Sequence, residues 1–224
     1  MKRFVARVLV VVAAILGIVF AQVAPASANA PDDPSNKLAN NLATLWTAVL
    51  ETPASENPFV GNGPECWDLG KRTVAQFGPG RVDPNDPNVR SCTVEPGTKI
   101  FVVGSSFECS TFDNDCDNDP PGSGLCNATT APGLLECAKA RNSKEPTIFV
   151  DGKSVKVTQV TTTMPNLVLP EGNLFGEPAG TEGRSAAHGW VTLLNPLTPG
   201  THTIVISGGI FPTTTTTIVV TPGH

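Results

Sequence analysis

The sequence predicts a mainly β protein: a disulfide-braced antiparallel β-sandwich with one N-terminal helix packed on it. Three observations carry that expectation. About eight to ten short runs rich in Val, Ile and Thr are divided by turns, and the 224 residues hold 21 Gly and 21 Pro to make them. A strong helical period runs through one stretch near the start. Six cysteines, an even number, follow a segment that reads as an export signal.

That segment fixes the compartment expected of the rest. Lys2, Arg3 and Arg7 make a basic start, residues 8–20 are apolar and uncharged, and Ala28-Asn29-Ala30 is a small-x-small cleavage site. The apolar run is shorter than the roughly 20 residues of a membrane span, so a cleaved signal peptide over 1–30 is preferred to an anchor. Its removal leaves 194 residues with 12 basic against 20 acidic side chains, a net charge of −8. A chain of that size can bury a core of its own and is read as one domain, 31–224. Its acidity argues against nucleic acid and anionic membrane as partners. The expected location is secreted or extracellular.

The helix is expected over residues 36–51. Leu38, Leu42, Leu45, Trp46, Val49 and Leu50 recur at three- and four-residue spacing, Ser35 or Asn36 is placed to cap, and Pro53 stops it. Residues 52–69 read as irregular. Strands follow at 73–77, 91–95 and 98–107, the last two around the Pro96-Gly97 turn. Ile100, Phe101, Val102 and Val103 run without a polar break, as in a strand buried on both faces. Residues 109–144 form a Cys-bearing insertion with a short helix near 134–141. Thr147-Ile148-Phe149-Val150, Asp151-Gly152 and the run from Lys153 to Val157 spell a hairpin with a type I′ turn. Strands are expected next at 159–163 and 166–169, then a Gly- and Glu-rich loop over 170–187. Strands at 190–194, 201–207 and 213–221 close the chain. Its threonine run leads directly into Ile218-Val219-Val220, which favours a strand over a glycosylated stalk.

Several motifs, in this order, carry a resemblance. They are Leu45-Trp46 leading into Pro53-Ala54-Ser55-Glu56-Asn57-Pro58, then Cys92-x-Val94-x-Pro96-Gly97 and Phe107-Glu108-Cys109-Ser110. Val150-Asp151-Gly152, the stretch from Leu169-Pro170 to Gly176, and Trp190 to Gly200 followed by His202-Thr203-Ile204 complete the set. Over roughly residues 45–207 the chain resembles a family of exported bacterial β-sandwich proteins of unassigned function. The resemblance implies export, disulfides and a sandwich, and it brings no reaction or substrate. Members tend to carry a second tryptophan in the helix, where this chain has Thr47 and Ala48.

For the cysteines, zinc is disfavoured because no Cys-x-x-Cys spacing occurs. Six cysteines allow 15 disulfide pairings. The expected set is Cys66–Cys92, then Cys109–Cys137 enclosing Cys116–Cys126. Four alternating carboxylates, Asp113, Asp115, Asp117 and Asp119, make calcium the one candidate cofactor. The loop is not an EF-hand, since Asn118 and Gly124 stand where Gly and Glu are needed, and a solvated acidic loop is the simpler reading. His188 and His202 are expected too far apart to share a site, on the assumption that their strands pair. Trp46 and Trp190 read as core, and Trp67, in a loop after Cys66, is the tryptophan to test for ligand contact.

No nucleophile elbow, His-Glu-x-x-His or phosphate loop is present. The resulting expectation is a non-enzymatic binding or interaction domain for an extracellular ligand or protein. Its surface would be formed by the 109–144 insertion and the 170–187 loop. The alternatives are an extracellular hydrolase, using a carboxylate pair drawn from Glu51, Glu56, Glu95, Glu108 and Glu136 or aided by calcium, and a structural envelope protein. Peptide mapping of the unreduced protein is expected to recover all three bridges, and free thiols at Cys66 and Cys92 would sink the scheme.

Overall fold

Two long strands organise the chain. In a computed structural model that describes residues 34–57, 60, 66–76, 89–112 and 128–223, β4 (Lys99–Ser110) and β8 (Glu182–Leu194) pair antiparallel at the centre of a five-stranded sheet. The other members are β1 (Cys66–Asp68), β2 (Thr73–Gln76) and β7 (Thr158–Val168), in the order β1-β2-β4-β8-β7. A second five-stranded sheet holds β3 (Val89–Val94), β5 (Thr147–Val150), β6 (Lys153–Val155), β9 (Gly200–Ser207) and β10 (Thr214–Val220), in the order β3-β10-β9-β5-β6. The pairing is mainly antiparallel, with β2–β4 and β3–β10 parallel.

The first sheet is covered on both faces. Helix α1 (Pro34–Leu50) lays Leu38, Leu42, Leu45, Trp46 and Val49 over Phe101, Val103, Ala187 and Val191. On the opposite face Ile100 and Val102 meet Ile148, Ile204, Ile206 and Ile218 of the second sheet. Farther along that face α2 (Ala131–Arg141) packs Leu134, Cys137 and Ala138 on Cys109 and Ala186. The uninterrupted run Ile100 to Val103 is therefore buried on both sides, as its composition predicts. A bulge between Val103 and Ser105 shifts the β4 register against β8 at Gly104.

Small residues mark where the helix comes close. A Cβ on Gly189 would stand 2.9 Å from Leu42 Cδ2, so α1 seats at its present depth because β8 has no side chain there. The same crowding explains why residues 182–187 belong to β8 although their sequence reads as loop. Ser185, Ala186 and Ala187 lack β-branched bulk because β8 is sandwiched between layers, not because they lie outside the sheet.

Other boundaries differ for local reasons. Helix α1 begins at Pro34, a residue favoured in a first turn, so Ser35 and Asn36 lie inside it instead of capping it. Asn57, fully buried, donates from Nδ2 to Val49 O (2.6 Å) and helps close its C-terminal end. Strand β1, in a stretch expected to be irregular, pairs with β2 across a turn whose Gly70, Lys71 and Arg72 all have positive φ (76°, 51° and 55°). For the two non-glycine residues that backbone costs about 1–2 kcal/mol each. At the β5–β6 turn Asp151 and Gly152 have φ of 49° and 75°, the geometry expected of a type I′ hairpin. The segments 190–194 and 201–207 do not form a hairpin with each other. Pro196 and Pro199 interrupt the connection, and the chain crosses from β8 in one sheet to β9 in the other.

Cys66 is joined to Cys92 (Cα–Cα 5.8 Å) and Cys109 to Cys137 (6.1 Å), two of the three pairs expected from the sequence. The first links β1 at the edge of one sheet to β3 at the edge of the other, and the second ties α2 to β4. The proposed signal segment 1–30 and the Cys116–Cys126 pair lie outside the described residues. Among the described residues no helix is long and apolar enough to cross a membrane.

Replacing Gly189 by Val is expected to lower unfolding free energy by about 1–3 kcal/mol, because the added methyls must displace Leu42. Urea unfolding would report a lower midpoint at unchanged slope; an unchanged midpoint would mean that α1 does not sit on β8 at this depth.

Candidate binding site

The outer strand of the helix-covered sheet, one continuous element, breaks register with its partner in its middle. From Thr158 to Met164, β7 follows β8 in register, ending with Met164 opposite Ser185; it resumes with Leu167 opposite Gly183. Pro165 and Asn166 occupy the gap. Proline has no N–H to give the ladder, and an edge strand is where a sheet tolerates it. The break leaves a depression on either side of these two residues. One, of about 530 Å³, lies between β7 and α1 and is lined by Ala43, Thr44, Thr47 and Ala48 of the helix facing Thr163 and Met164. The other, of about 490 Å³, is lined by Leu167, Val168, Glu182, Gly183 and Arg184. The lining of the first is methyl, hydroxyl and amide with no formal charge; the second adds one acid and one base.

The walls are fixed from behind. Glu51 Oε1 accepts from Val168 N (3.0 Å) at the end of the strand. The following loop closes on itself, Leu169 N donating to Thr181 O (3.0 Å) and Gly180 N to Leu169 O (2.8 Å). Asn173, 6% exposed, holds the loop interior with both ends of its amide. Its Nδ2 donates to Pro170 O (2.9 Å) and Glu177 O (2.7 Å), and its Oδ1 accepts from Phe175 N (3.1 Å) and Glu177 N (3.2 Å). Phe175 packs on Phe112 with ring centres 5.5 Å apart. Phe112 also lies against Gly183, where a Cβ would come within 2.4 Å of its ring. The loop expected to carry binding is thus rigid, and it flanks the broken strand.

The histidines lie elsewhere. His188 is 1% exposed on the α2 side of β8. The Gln159 amide lies 2.7 Å from its Nε2, and Nδ1 is buried without a hydrogen-bond partner. Burial, assisted by the nearby Lys139 charge, holds its pKa below the ordinary histidine value, so the ring stays neutral. His202 has the opposite setting. Its Nδ1 faces Asp151 Oδ2 (2.7 Å) and its Nε2 faces Thr198 O (2.8 Å), so both nitrogens meet acceptors and the imidazolium satisfies both. The Asp151 hydrogen bond, then that to Thr198, raises the His202 pKa, and the His202 hydrogen bond, followed by the Thr203 N–H, lowers that of Asp151. His188 lies on β8 in the first sheet and His202 on β9 in the second.

Glu108, 8% exposed, accepts from Ser185 Oγ inside the sheet. Trp67 is half-buried and packs against the α1 core, with Nε1 buried. Trp46 is core, 8% exposed, and donates to Ser106 Oγ (2.8 Å). The acidic loop with Asp113, Asp115, Asp117 and Asp119 lies outside the described residues, and among those described no group of three or more His, Cys, Asp or Glu side chains is placed to hold a metal ion. The broken strand was not singled out from the sequence. Its signal was there: Pro165 separates two β runs, 159–163 and 166–169, that the structure joins into one strand.

No family model matches the chain, and no curated protein matches it. Among solved structures the solution structure of amebosin matches at 10% identity, over 60% of this chain and 99% of that one, with a TM-score of 0.19. A superposition that loose carries no argument about fold or function.

The His202–Asp151 pair generates a pH prediction. A raised histidine pKa adds stability that is fully present below the unfolded value, near 6.5, and is lost as pH rises through the folded value. A lowered aspartate pKa adds stability present above about 3.8 and lost as pH falls through the folded value. The Tm difference between wild type and His202→Asn should therefore be largest between those limits, at about pH 4–6.5, and shrink above and below. A difference independent of pH would mean that the pair does not form.

Proposed function

We propose that this chain is an exported, non-enzymatic binding domain that holds an extended, largely uncharged peptide in the groove between α1 and β7. The observation that carries the reading is the break at Pro165 in an edge strand. Edge strands offer free backbone groups to an added extended chain. Here the break gives that edge a recess whose wall, Ala43, Thr44, Thr47 and Ala48, is small enough to admit backbone. Hydroxyl and amide groups of Thr44, Thr47, Thr163 and Asn166 supply hydrogen bonds without selecting a charge. Glu182 and Arg184 beyond the break would read the charge of a flanking residue.

Rigidity supports the same reading, since a preformed groove loses little entropy on binding. Two disulfides and the N-terminal signal pattern support export, as does the resemblance to exported sandwich proteins.

The test is selection of heptapeptides from a random display library on the immobilised, oxidised protein. Thr44→Trp fills the groove from an exposed position on α1 and should leave Tm within a few degrees. Selected peptides are expected to lose at least tenfold in affinity for that variant. Equal binding to the variant, or no enrichment over a blank surface, would overturn the proposal.

A further inference from the structure

Strand β7 lies at the end of its sheet and is paired on one side only, with β8. The ladder decides which of its main-chain groups are left over. In an antiparallel pair a residue turns its N–H and C=O to the same side, and the next residue turns them to the other. Thr111 N donates to Arg184 O (2.9 Å), so Arg184 and every second residue after it face β4. Ser185, Ala187, Gly189 and Val191 therefore face β7, where their partners are Met164, Thr162, Val160 and Thr158. The main-chain groups of Gln159, Thr161 and Thr163 point out of the sheet, and among the described residues nothing bonds to them. Beyond Met164 the same edge is closed. Pro165 has no N–H, and the outward N–H of Val168 is taken by Glu51 Oε1 (3.0 Å).

Sheets protect a free edge with proline, charge or a bulge. All three stand in the closed half: Pro165, the Glu51 carboxylate and the register shift. The open half, 158–164, carries no charge, no proline and no glycine. A strand added there would lie about 4.8 Å from β7, beside the part of α1 that turns Ala43, Thr44, Thr47 and Ala48 to Thr163 and Met164. Resting on the peptide reading above, we infer that the ligand is a strand added antiparallel along Gln159–Thr163, with uncharged β-branched side chains at every second position. Antiparallel pairing is the more stable per residue. Ligand residues opposite Gln159, Thr161 and Thr163 bond through their main chain. Those between them, opposite Val160 and Thr162, turn their side chains to the α1 face, where Val160 and Met164 already pack. The small side chains of the α1 wall leave room there for Val, Ile or Thr, which strands favour. The remaining positions are held by main chain alone and are free in sequence.

The experiment uses a heptapeptide selected on the oxidised protein as probe. Its affinity is measured with a backbone N-methyl at each position in turn, and separately with Asp at each position in turn. Methylation removes a main-chain donor and keeps the side chain; Asp keeps the donor and puts a charge on the side chain. Losses of about tenfold are expected at alternate positions in each series. The two series should be out of step, because main-chain bonding and the α1 face fall on different residues. Thr161→Pro removes an outward N–H without touching the β8 ladder, and an edge strand tolerates proline. It should leave Tm within a few degrees and weaken the peptide about tenfold. Series that coincide, a methyl series without alternation, or wild-type affinity in Thr161→Pro would overturn the added strand, while a peptide still lost on Thr44→Trp would keep the groove. Failure to enrich any peptide would overturn both.

Discussion

The structure depends on burying the first sheet from both sides. Strands β4 and β8 place apolar groups on each face, and neither face can be left to water. Helix α1 covers one, and the second sheet and α2 divide the other. Residues of alternate parity therefore belong to different cores: Phe101 and Val103 to the helix side, Ile100 and Val102 to the sandwich. The bulge at Gly104 resets β4 between the stretch under the second sheet and the stretch under α2. Side-chain size along β8 follows the same rule, with Ala186, Ala187 and Gly189 where α1 and α2 press close.

A polar chain passes through the layers at the bulge. Trp46 of α1 donates to Ser106 Oγ, and Ser106 donates to the carbonyl of His188 (2.9 Å). From the other side Asn142, fully buried at the end of α2, donates to the same carbonyl (3.1 Å) and accepts from Ser105 Oγ (2.7 Å). One β8 carbonyl is thus shared by the elements on both faces. Groups buried this deeply are costly when unpaired, so the network fixes how α1 and α2 seat on the sheet as well as how tightly. The bridge from Cys109 to Cys137 holds α2 in the same place.

The candidate groove arises where this regular packing ends. At Pro165 and Asn166 the edge strand shifts register on its partner, beside a recess against α1. The departure from ideal geometry is local, although Met164 and Leu167 on either side of it belong to the core. That is where function can be added to a sandwich without loss of its stability.

Much of the architecture was legible in the chain. Leu38 to Leu50 fixed the helix and its buried face because a single period of 3.6 has one consistent solution. The alternation in 201–207 and 214–220 fixed strands with one face inward, since Thr214, Thr216, Ile218 and Val220 all point to the core. Asp151-Gly152 fixed its hairpin, because that turn requires positive φ at both positions. Which strands pair was not legible. The segments 190–194 and 201–207 look like a hairpin, and only packing sends them to different sheets. Residues 182–187 look like a loop, and only the layers pressing on them make a small-residue strand necessary. Local patterns depend on neighbours a few residues away, so the sequence by itself determined most of the elements, though not β1 or the first half of β8. Sheet membership and the recess at Pro165 depend on contacts between distant residues, and only the tertiary structure decided them.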